Sequence, residues 1–442
     1  MNNTPLYDAL KMHRSLDYSS FHTPGHKGIN IIPPDLLALD YTELPDTDSL
    51  FDAAGPILKA EQNAAEVFGA KKTLFSAGGC TLCIQTMLRL ALPFGGKIIC
   101  SRMIHKNAIN AMALLDIEPV WVVPKKNIKT GFLDPIDPQE IKESLKDNID
   151  TKAVYITSPD YYGVISDIKE LSNVCREYNI PLLVDNAHGA HLGFVNENLH
   201  PLKLGAAMTA DSAHKTLPVL TGGAFLHIAD EKYIPLAKSS MALFGSTSPS
   251  YPIMASLDMC CGWLKINGKK EFSDLLKKVE KIKKLAEQKG ILTPSGTVDP
   301  TRISLNTKSI GLTGNDCAKY FRSLGIEPEF SDDDFIVLIT TPFNTDEDFL
   351  KLYNAILKLP INQPLKQAPF CFDLPNVKVS LKKALFSSFE KVNTKDAINK
   401  ICAETLCVCP PGIPILIPGE IINEKAIKLL LGYGIFTLNV LK

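Results

Sequence analysis

The chain has 442 residues, 45% of them apolar and 21% charged, with a formal net charge of −1 at pH 7. That length exceeds one ordinary core, so two or more domains are expected, and the composition is that of a soluble globular protein. Lys and Arg are scattered rather than clustered, which excludes a nucleic-acid footprint, and the neutral balance gives no long-range pull on a charged ligand.

The N-terminus, MNNTPLYDALKMHRSLDYSSF, is polar and broken and lacks the basic start and apolar run of a signal peptide. No apolar stretch is long enough to span a bilayer, so a cytoplasmic protein without membrane partners is expected. The 11 cysteines are irregularly spaced in mostly apolar surroundings and read as reduced thiols. Cys80 and Cys83 form a C-x-x-C, and Cys407 and Cys409 a C-x-C. Neither has a second pair at zinc-finger spacing, so no metal site is expected.

From residue 56 to 230 helical and strand patterns alternate. The sequence predicts helices over Leu58–Val67, Thr81–Leu92, Asn107–Leu115, Gln139–Leu145 and Ile168–Tyr178. Strands are predicted over Thr73–Phe75, Lys97–Cys100, Pro119–Val123, Ala153–Thr157 and Pro181–Asp185. Such alternation implies an α/β fold, a mostly parallel sheet covered by helices, with ligands at the carboxyl ends of its strands. The amphipathic, Lys-rich stretch Lys269–Lys289 reads as a solvated connecting helix. Beyond it lie a strand, Phe335–Thr340, and a helix, Asp346–Leu357, of a smaller α+β unit. The domain expectation is an N-terminal arm at 1–50, a large domain at 51–265, a connecting helix at 266–300 and a small C-terminal domain at 301–442.

Four points at predicted sheet ends carry chemistry. Lys215 lies in Asp211-Ser212-Ala213-His214-Lys215-Thr216; alone it would be a surface lysine. Asp185 ends the apolar strand Pro181–Val184, where a carboxylate points into the crevice; alone it would be a cap or turn residue. Ser76-Ala77-Gly78-Gly79-Cys80-Thr81 joins a strand to a helix, so that backbone amides and the helix N-terminus can face a phosphate. His105 follows another strand and can stack on a ring or exchange a proton near neutral pH.

In their joint order these points resemble the Orn/Lys/Arg decarboxylase family, in particular its shorter bacterial arginine decarboxylase-like members. The resemblance rests on FHTPGHKG (Phe21 to Gly28), FSAGGCT (Phe75 to Thr81), HKNAINAM (His105 to Met112), TSPDYYG (Thr157 to Gly163), VDNAHGAH (Val184 to His191), DSAHKTLPVLTGG (Asp211 to Gly223), STSPSYP (Ser246 to Pro252) and PPGIPILIPGE (Pro410 to Glu420). It implies the seven-stranded, mostly parallel sheet of the PLP-dependent transferase (aspartate aminotransferase-like) fold, with a smaller α+β C-terminal domain. It also implies PLP-dependent decarboxylation of arginine, lysine or ornithine. Lys215 would carry pyridoxal 5'-phosphate as an imine, Asp185 would pair with the pyridine nitrogen, and His105 would stack on the ring. Gly79, Cys80, Thr81, Ser212 and His214 would hold the phosphate, with His188 beside the ring. Ser246 and Thr247 would reach the phosphate of a neighbouring subunit in a homodimer with shared sites, and Glu404 would meet the substrate's distal end. An acidic stretch, Glu43, Asp46, Asp48 and Asp52, is a second candidate for that end.

Four positions depart from the family pattern: Cys80 stands for Ser or Thr, Asn186 for Glu, Cys402 for Ser, and Asp160 for an uncharged residue. Two rivals are an aminotransferase or carbon–sulfur lyase on the same fold, and a non-catalytic PLP-binding relative. For the first, Arg302 would grip the α-carboxylate; its setting, Asp299-Pro300-Thr301-Arg302, reads instead as a structural residue at the domain junction. A nicotinamide or flavin enzyme is disfavoured, because no G-x-G-x-x-G follows the first strand.

Overall fold

The computed structural model describes residues 18–21, 43, 47–366, 373–408 and 413–442. The FHTPGHKG motif beyond Phe21, together with Asp46, Cys409 and the Pro410-Pro411-Gly412 tripeptide, lies outside the described residues.

In chain order the first strands are β1 (Ser19–Phe21), β2 (Lys72–Ser76), β3 (Gly96–Ser101), β4 (Ile117–Val122), β5 (Ala153–Thr157), β6 (Leu182–Asp185), β7 (Met208–Asp211) and β8 (Ala224–Ile228). Seven of them form one sheet in the order β2-β8-β7-β6-β5-β3-β4. Only β8 runs against the others. The expected α/β class and mostly parallel seven-stranded sheet are therefore observed. Strands β6 and β7 are buried along their whole length, as a sheet covered on both faces requires. The chain moves outward from β3 to β4 on one side and from β5 through β6 to β7 on the other, which opens a crevice at the carboxyl ends.

The helix Pro56–Phe68 shows how local chemistry sets an element. It has Pro at its first position and ends at Gly69 with φ +70°. Its start is held by Asp48, whose carboxylate accepts the backbone amides of Ser49, Ala54, Gly55, Ile57 and Leu58.

The connecting stretch holds the helix Lys269–Gln288. After it come β9 (Arg302–Asn306), β10 (Ile326–Pro328), β11 (Phe330–Ser331) and β12 (Phe335–Ile339). Strands β9, β12 and β11 make an antiparallel sheet, and β10 pairs with β1. Their apolar faces join the helices Tyr251–Trp263 and Lys269–Gln288 in one cluster that includes Leu257, Phe272, Ile303 and Phe321. The last stretch has β13 (Phe389–Asn393), β14 (Leu406–Val408), β15 (Ile413–Leu416) and β16 (Thr437–Leu441). It packs around its own cluster, including Cys402, Leu416, Leu430 and Val440. The region after 300 therefore shares its apolar side chains among several clusters, with Leu381 and Ile417 joining the core of the large sheet and Phe335 and Val337 packing with Phe132 and Tyr162. Among the described residues no helix is long and apolar enough to cross a membrane.

Candidate active site

Asp185 is the last residue of β6 and is buried. Its hydrogen-bond partners are neutral: Tyr155 donates its hydroxyl to Oδ2 at 3.2 Å, the Ala187 amide donates to Oδ1 at 3.1 Å, and the Cys80 thiol lies 4.0 Å from Oδ1. Burial pushes its pKa up; the fields of His105 and Lys215 oppose this without cancelling it.

Lys215 lies in a single helical turn, Ala213–Thr216, just past β7. Its Nζ stands 3.2 Å from His188 Nε2. Burial lowers its pKa, while the neighbouring Cys80 and Asp185 work against that shift. Burial, and then the Lys215 charge, hold His188 well below the usual imidazole value. A neutral His188 therefore accepts from the lysine, and its buried Nδ1 has no hydrogen-bond partner among the described residues. A desolvated amine with a lowered pKa is the form of lysine that attacks carbonyl carbon.

His105 caps the helix Lys106–Leu114, its Nδ1 accepting the Asn107 amide at 3.2 Å, which leaves the ring proton on Nε2. Partial desolvation lowers its pKa, and the Asp185 charge works against that shift. Asn107 in turn donates to Thr81 Oγ1.

The glycine turn opens the helix Gly79–Ala91, whose cap residue Gly78 offers no side chain. Gly79 has φ +70° and open space where a Cβ would stand, so backbone can approach a ligand closely there. Its own N–H is taken by Gly222 O at 2.8 Å. The first-turn amides of Cys80 and Thr81 have no intrahelical acceptors, as at any helix start. His214 Nδ1 lies 3.2 Å from Gly223 O, which turns its Nε2 away from that carbonyl. Ser212 neighbours Cys80 closely enough to hydrogen-bond its thiol.

A cavity of about 310 Å³ adjoins this turn, lined by Phe51, Gly78, Thr81, Gln85, Phe244 and Ser246 among others. Ser246 thus shares a wall with Thr81 of its own chain. Ser246 and Thr247 are exposed, and Ser246 Oγ accepts the Ser248 amide at 3.2 Å.

The candidates for the distal end fall elsewhere. Glu404 Oε1 accepts the Asn439 amide at 2.6 Å in the C-terminal region, and no hydrogen bond or ion pair joins it to the Lys215 group among the described residues. Both oxygens of Asp48 are occupied by the five amides of its cap, and Glu43 and Asp52 are exposed. Instead, Glu329, between β10 and β11, projects a field that raises the Lys215 pKa. Its Oε1 accepts from Tyr161 Oη at 3.0 Å, and the Tyr161 ring meets His188 edge-on at 5.1 Å.

Arg302 is buried with its Cβ and Cγ against Gly163, where a methyl would fall 2.9 Å away. Its Nη1 donates to Tyr161 O at 3.1 Å and its Nε lies 3.9 Å from Asp299 Oδ2, while Nε and Nη2 make no hydrogen bond among the described residues. Its charge also reaches Lys215 and His188. Asp160, one of the departures from the family pattern, is buried, accepts the Val164 amide at 2.7 Å, and is pushed up to about 7 by burial. Among the described residues, eight buried cysteines, Cys80 and Cys83 among them, form no disulfide.

The structure gathers Lys215, Asp185, His105, His188, Cys80, Thr81, Ser212 and His214 beyond the carboxyl ends of β2, β3, β6 and β7. Sequence reasoning missed Tyr155, Tyr161 and Glu329. Tyr155 stands in an apolar run that reads as core, and Glu329 follows a three-residue strand with no motif of its own.

A mostly parallel seven-stranded sheet of this order, followed by a separate C-terminal region, is the PLP-dependent transferase fold. Solved structures agree on the fold: the Escherichia coli constitutive lysine decarboxylase aligns over 99% of this chain and 82% of its own, with a TM-score of 0.77 at 19% identity. The Francisella novicida lysine decarboxylase LdcF gives 0.80 at 16% identity, over 99% and 84%.

The family description "Orn/Lys/Arg decarboxylase, major domain" matches residues 4–295, and "Orn/Lys/Arg decarboxylase, C-terminal domain" matches 375–434. The arginine decarboxylase of Bacillus subtilis (strain 168) is 32% identical over 97% of this chain and 93% of its own. That of Bacillus anthracis is 30% identical over 96% and 92%. The chain belongs to the Orn/Lys/Arg decarboxylase family.

Proposed function

We propose that this enzyme decarboxylates a basic amino acid with pyridoxal 5'-phosphate held on Lys215, arginine being the first substrate to try. The observation that carries the reading is a buried lysine with a lowered pKa in one group with His188 and a carboxylate whose partners are all neutral. Those residues fit the cofactor. Asp185 is a buried acceptor without a counter-charge in hydrogen-bond contact, which suits a protonated ring nitrogen. The open Gly79 turn and the first-turn amides of Cys80 and Thr81 suit a phosphate, with Ser212 and His214 beside them. Cys80 supplies a weak donor, so its backbone amide is the stronger contribution there.

Bound there, pyridoxal phosphate would supply the electron sink into which the bond to the α-carboxylate breaks. The chain's own part is to hold and move protons. Asp185 would keep the ring nitrogen protonated. His105 Nε2 or Lys215 Nζ would return a proton to Cα after CO₂ departs. His188 Nε2 would receive a hydrogen bond from the lysine and orient it. Glu329, aimed by Tyr161, is our choice for the distal guanidinium or ammonium; Glu404 is the second. Ser246 and Thr247 would complete a phosphate site across a homodimer, and the free buried cysteines suit a reducing, cytoplasmic compartment.

The test is to load the protein with PLP and measure CO₂ and amine from arginine, lysine and ornithine separately. Release from one of them is expected, and it should vanish with the visible cofactor absorbance in Lys215→Ala. No release from any of the three, or full activity in Lys215→Ala, would refute the proposal.

A further inference from the structure

Behind the wall formed by Asp185 and Lys215 lies a second buried polar group that the chemistry above does not use. Asp211 closes β7, four residues before Lys215, and is fully buried. Its Oδ2 accepts from His200 Nε2 at 2.7 Å and from Asn186 Nδ2 at 2.8 Å. The Leu202 amide donates to His200 Nδ1 at 3.3 Å, so the ring proton sits on Nε2 and points at Asp211. His227 on β8 faces the same oxygen from 3.9 Å, with its Nδ1 paired to Thr73 Oγ1 at 2.8 Å. The His200–Asp211 distance is that of a direct hydrogen bond. It is shorter than the roughly 3.3 Å that separates two ligands of one tetrahedral zinc, so a proton and not an ion joins them.

Asn186 is the residue after Asp185. Its amide N–H donates to Ala210 O at 2.9 Å, the last backbone bond between the two chain segments. Strand register between β6 and β7 ends at Asp185 and Ala210. Beyond that point the segments diverge, one toward His188 and the other toward Lys215, and only side chains tie them. The Asn186 side chain has little freedom, because a methyl on Gly189 would fall 2.1 Å from its Oδ1.

We propose that Asn186, Asp211 and His200 form a positioning network that sets the spacing between Asp185 and Lys215, and that the pair 186/211 must hold one carboxylate and one amide, in either order. The inference rests on the cofactor-binding reading of Asp185 and Lys215. Its physical basis is the 2.8 Å contact. An amide N–H against a carboxylate is attractive there, whereas two carboxylates that close cannot both stay ionised. N186D therefore takes up a proton or forces the segments apart, and Asp185 moves with its neighbour. N186D/D211N restores one donor and one acceptor. The carboxylate at 186 then stands where Nδ2 stands now, 3.2 Å from His200 Nε2, so the histidine keeps an acceptor.

The experiment compares wild type, N186D, D211N and N186D/D211N as full-length, PLP-loaded protein. It measures PLP affinity, the pH titration of the cofactor's visible absorbance, turnover and melting temperature. N186D should weaken PLP binding by about fivefold or more and displace the titration, and the double variant should bring both back toward wild type, the strong non-additivity expected of touching side chains. Three results would overturn the network: N186D titrating like wild type, N186D losing only melting temperature, or a folded double variant no better than N186D. Should N186D not fold, His200→Gln, which keeps a donor, and His200→Ala, which removes it, decide the question. A displaced titration in Ala alone supports the network, and any other pattern overturns it. Wild type that binds PLP while the variants behave like it defeats the network only; wild type that binds no PLP defeats the cofactor reading and the network together.

Discussion

Arg102 and Glu420 are both fully buried and meet through two bonds, Nη1 to Oε1 at 2.8 Å and Nη2 to Oε2 at 2.9 Å. Arg102 Nε also donates to Pro414 O at 3.1 Å, its guanidinium lies 4.9 Å over the Trp121 ring, and Glu420 Oε2 accepts the Ile417 amide at 2.8 Å. The pair fastens the C-terminal segment to the end of β3, three residues before His105. Breaking one side leaves an uncompensated buried charge, which costs about 3–5 kcal/mol, whereas replacing both sides with apolar groups is often close to neutral. Here the Ile417 amide would still lose its acceptor, a further cost of about 1–3 kcal/mol. Glu420→Ala, which also takes the acceptor from the Ile417 amide, is therefore expected to destabilise by at least about 3–5 kcal/mol, and Arg102→Met/Glu420→Met by clearly less than the two single changes together. A chain this long is not expected to unfold in one step, so the comparison is made on the first transition in urea, followed by circular dichroism. A loss below about 1 kcal/mol in Glu420→Ala, or simple additivity in the double variant, would refute the reasoning.

Two further outcomes follow from the site. Asp160 is raised from 3.8 to about 7 by burial, so the stability it contributes is present below its unfolded pKa and is lost as pH rises toward 7. The gap corresponds to roughly 4 kcal/mol at most; Asp160→Asn should gain on wild type in melting temperature between pH 4 and pH 7, and a constant difference would contradict the assignment. Glu329→Gln removes the charge that Tyr161 orients toward Lys215, and a charged hydrogen bond of about 1.5–3 kcal/mol predicts a rise of about 10- to 150-fold in KM for the basic substrate. Unchanged KM would move the distal site to Glu404.

Much of the sheet was legible because β5 and β6 are unbroken apolar runs flanked by helical periodicity, and predicted and observed limits there differ by a residue or so. β7 and β8 were not predicted. β7 has only four residues and contains Thr209 and Asp211, and β8 carries His227, so neither shows a clean apolar pattern. The candidate site was legible where chemistry follows strand ends: Asp185 ends β6, and His105 and Lys215 each lie four residues past a strand. Asp48 looked like a substrate carboxylate because composition does not reveal that five backbone amides claim it. Glu329 escaped for the opposite reason, since its role depends on Tyr161 and Lys215, which are far away in sequence.

Two aspartates end adjacent strands, and the fold treats them in opposite ways. Burial raises both. For Asp211 the charges and hydrogen bonds of His200, with His227 and Asn186, outweigh burial and hold it below the usual carboxylate range. For Asp185 the neutral partners and more distant cations do not, and it stays above that range. Asp211 is thus held as an anion by protein, with its Oδ2 taken by His200 and Asn186. Asp185 is an acceptor whose charge is disfavoured by burial and whose hydrogen-bond partners are neutral, which under the proposed function suits a protonated ring nitrogen. The same contrast explains why Cys80 is tolerated beside it. A thiol is too weak a donor to satisfy the carboxylate, and burial pushes its own pKa well up, so it adds no competing charge.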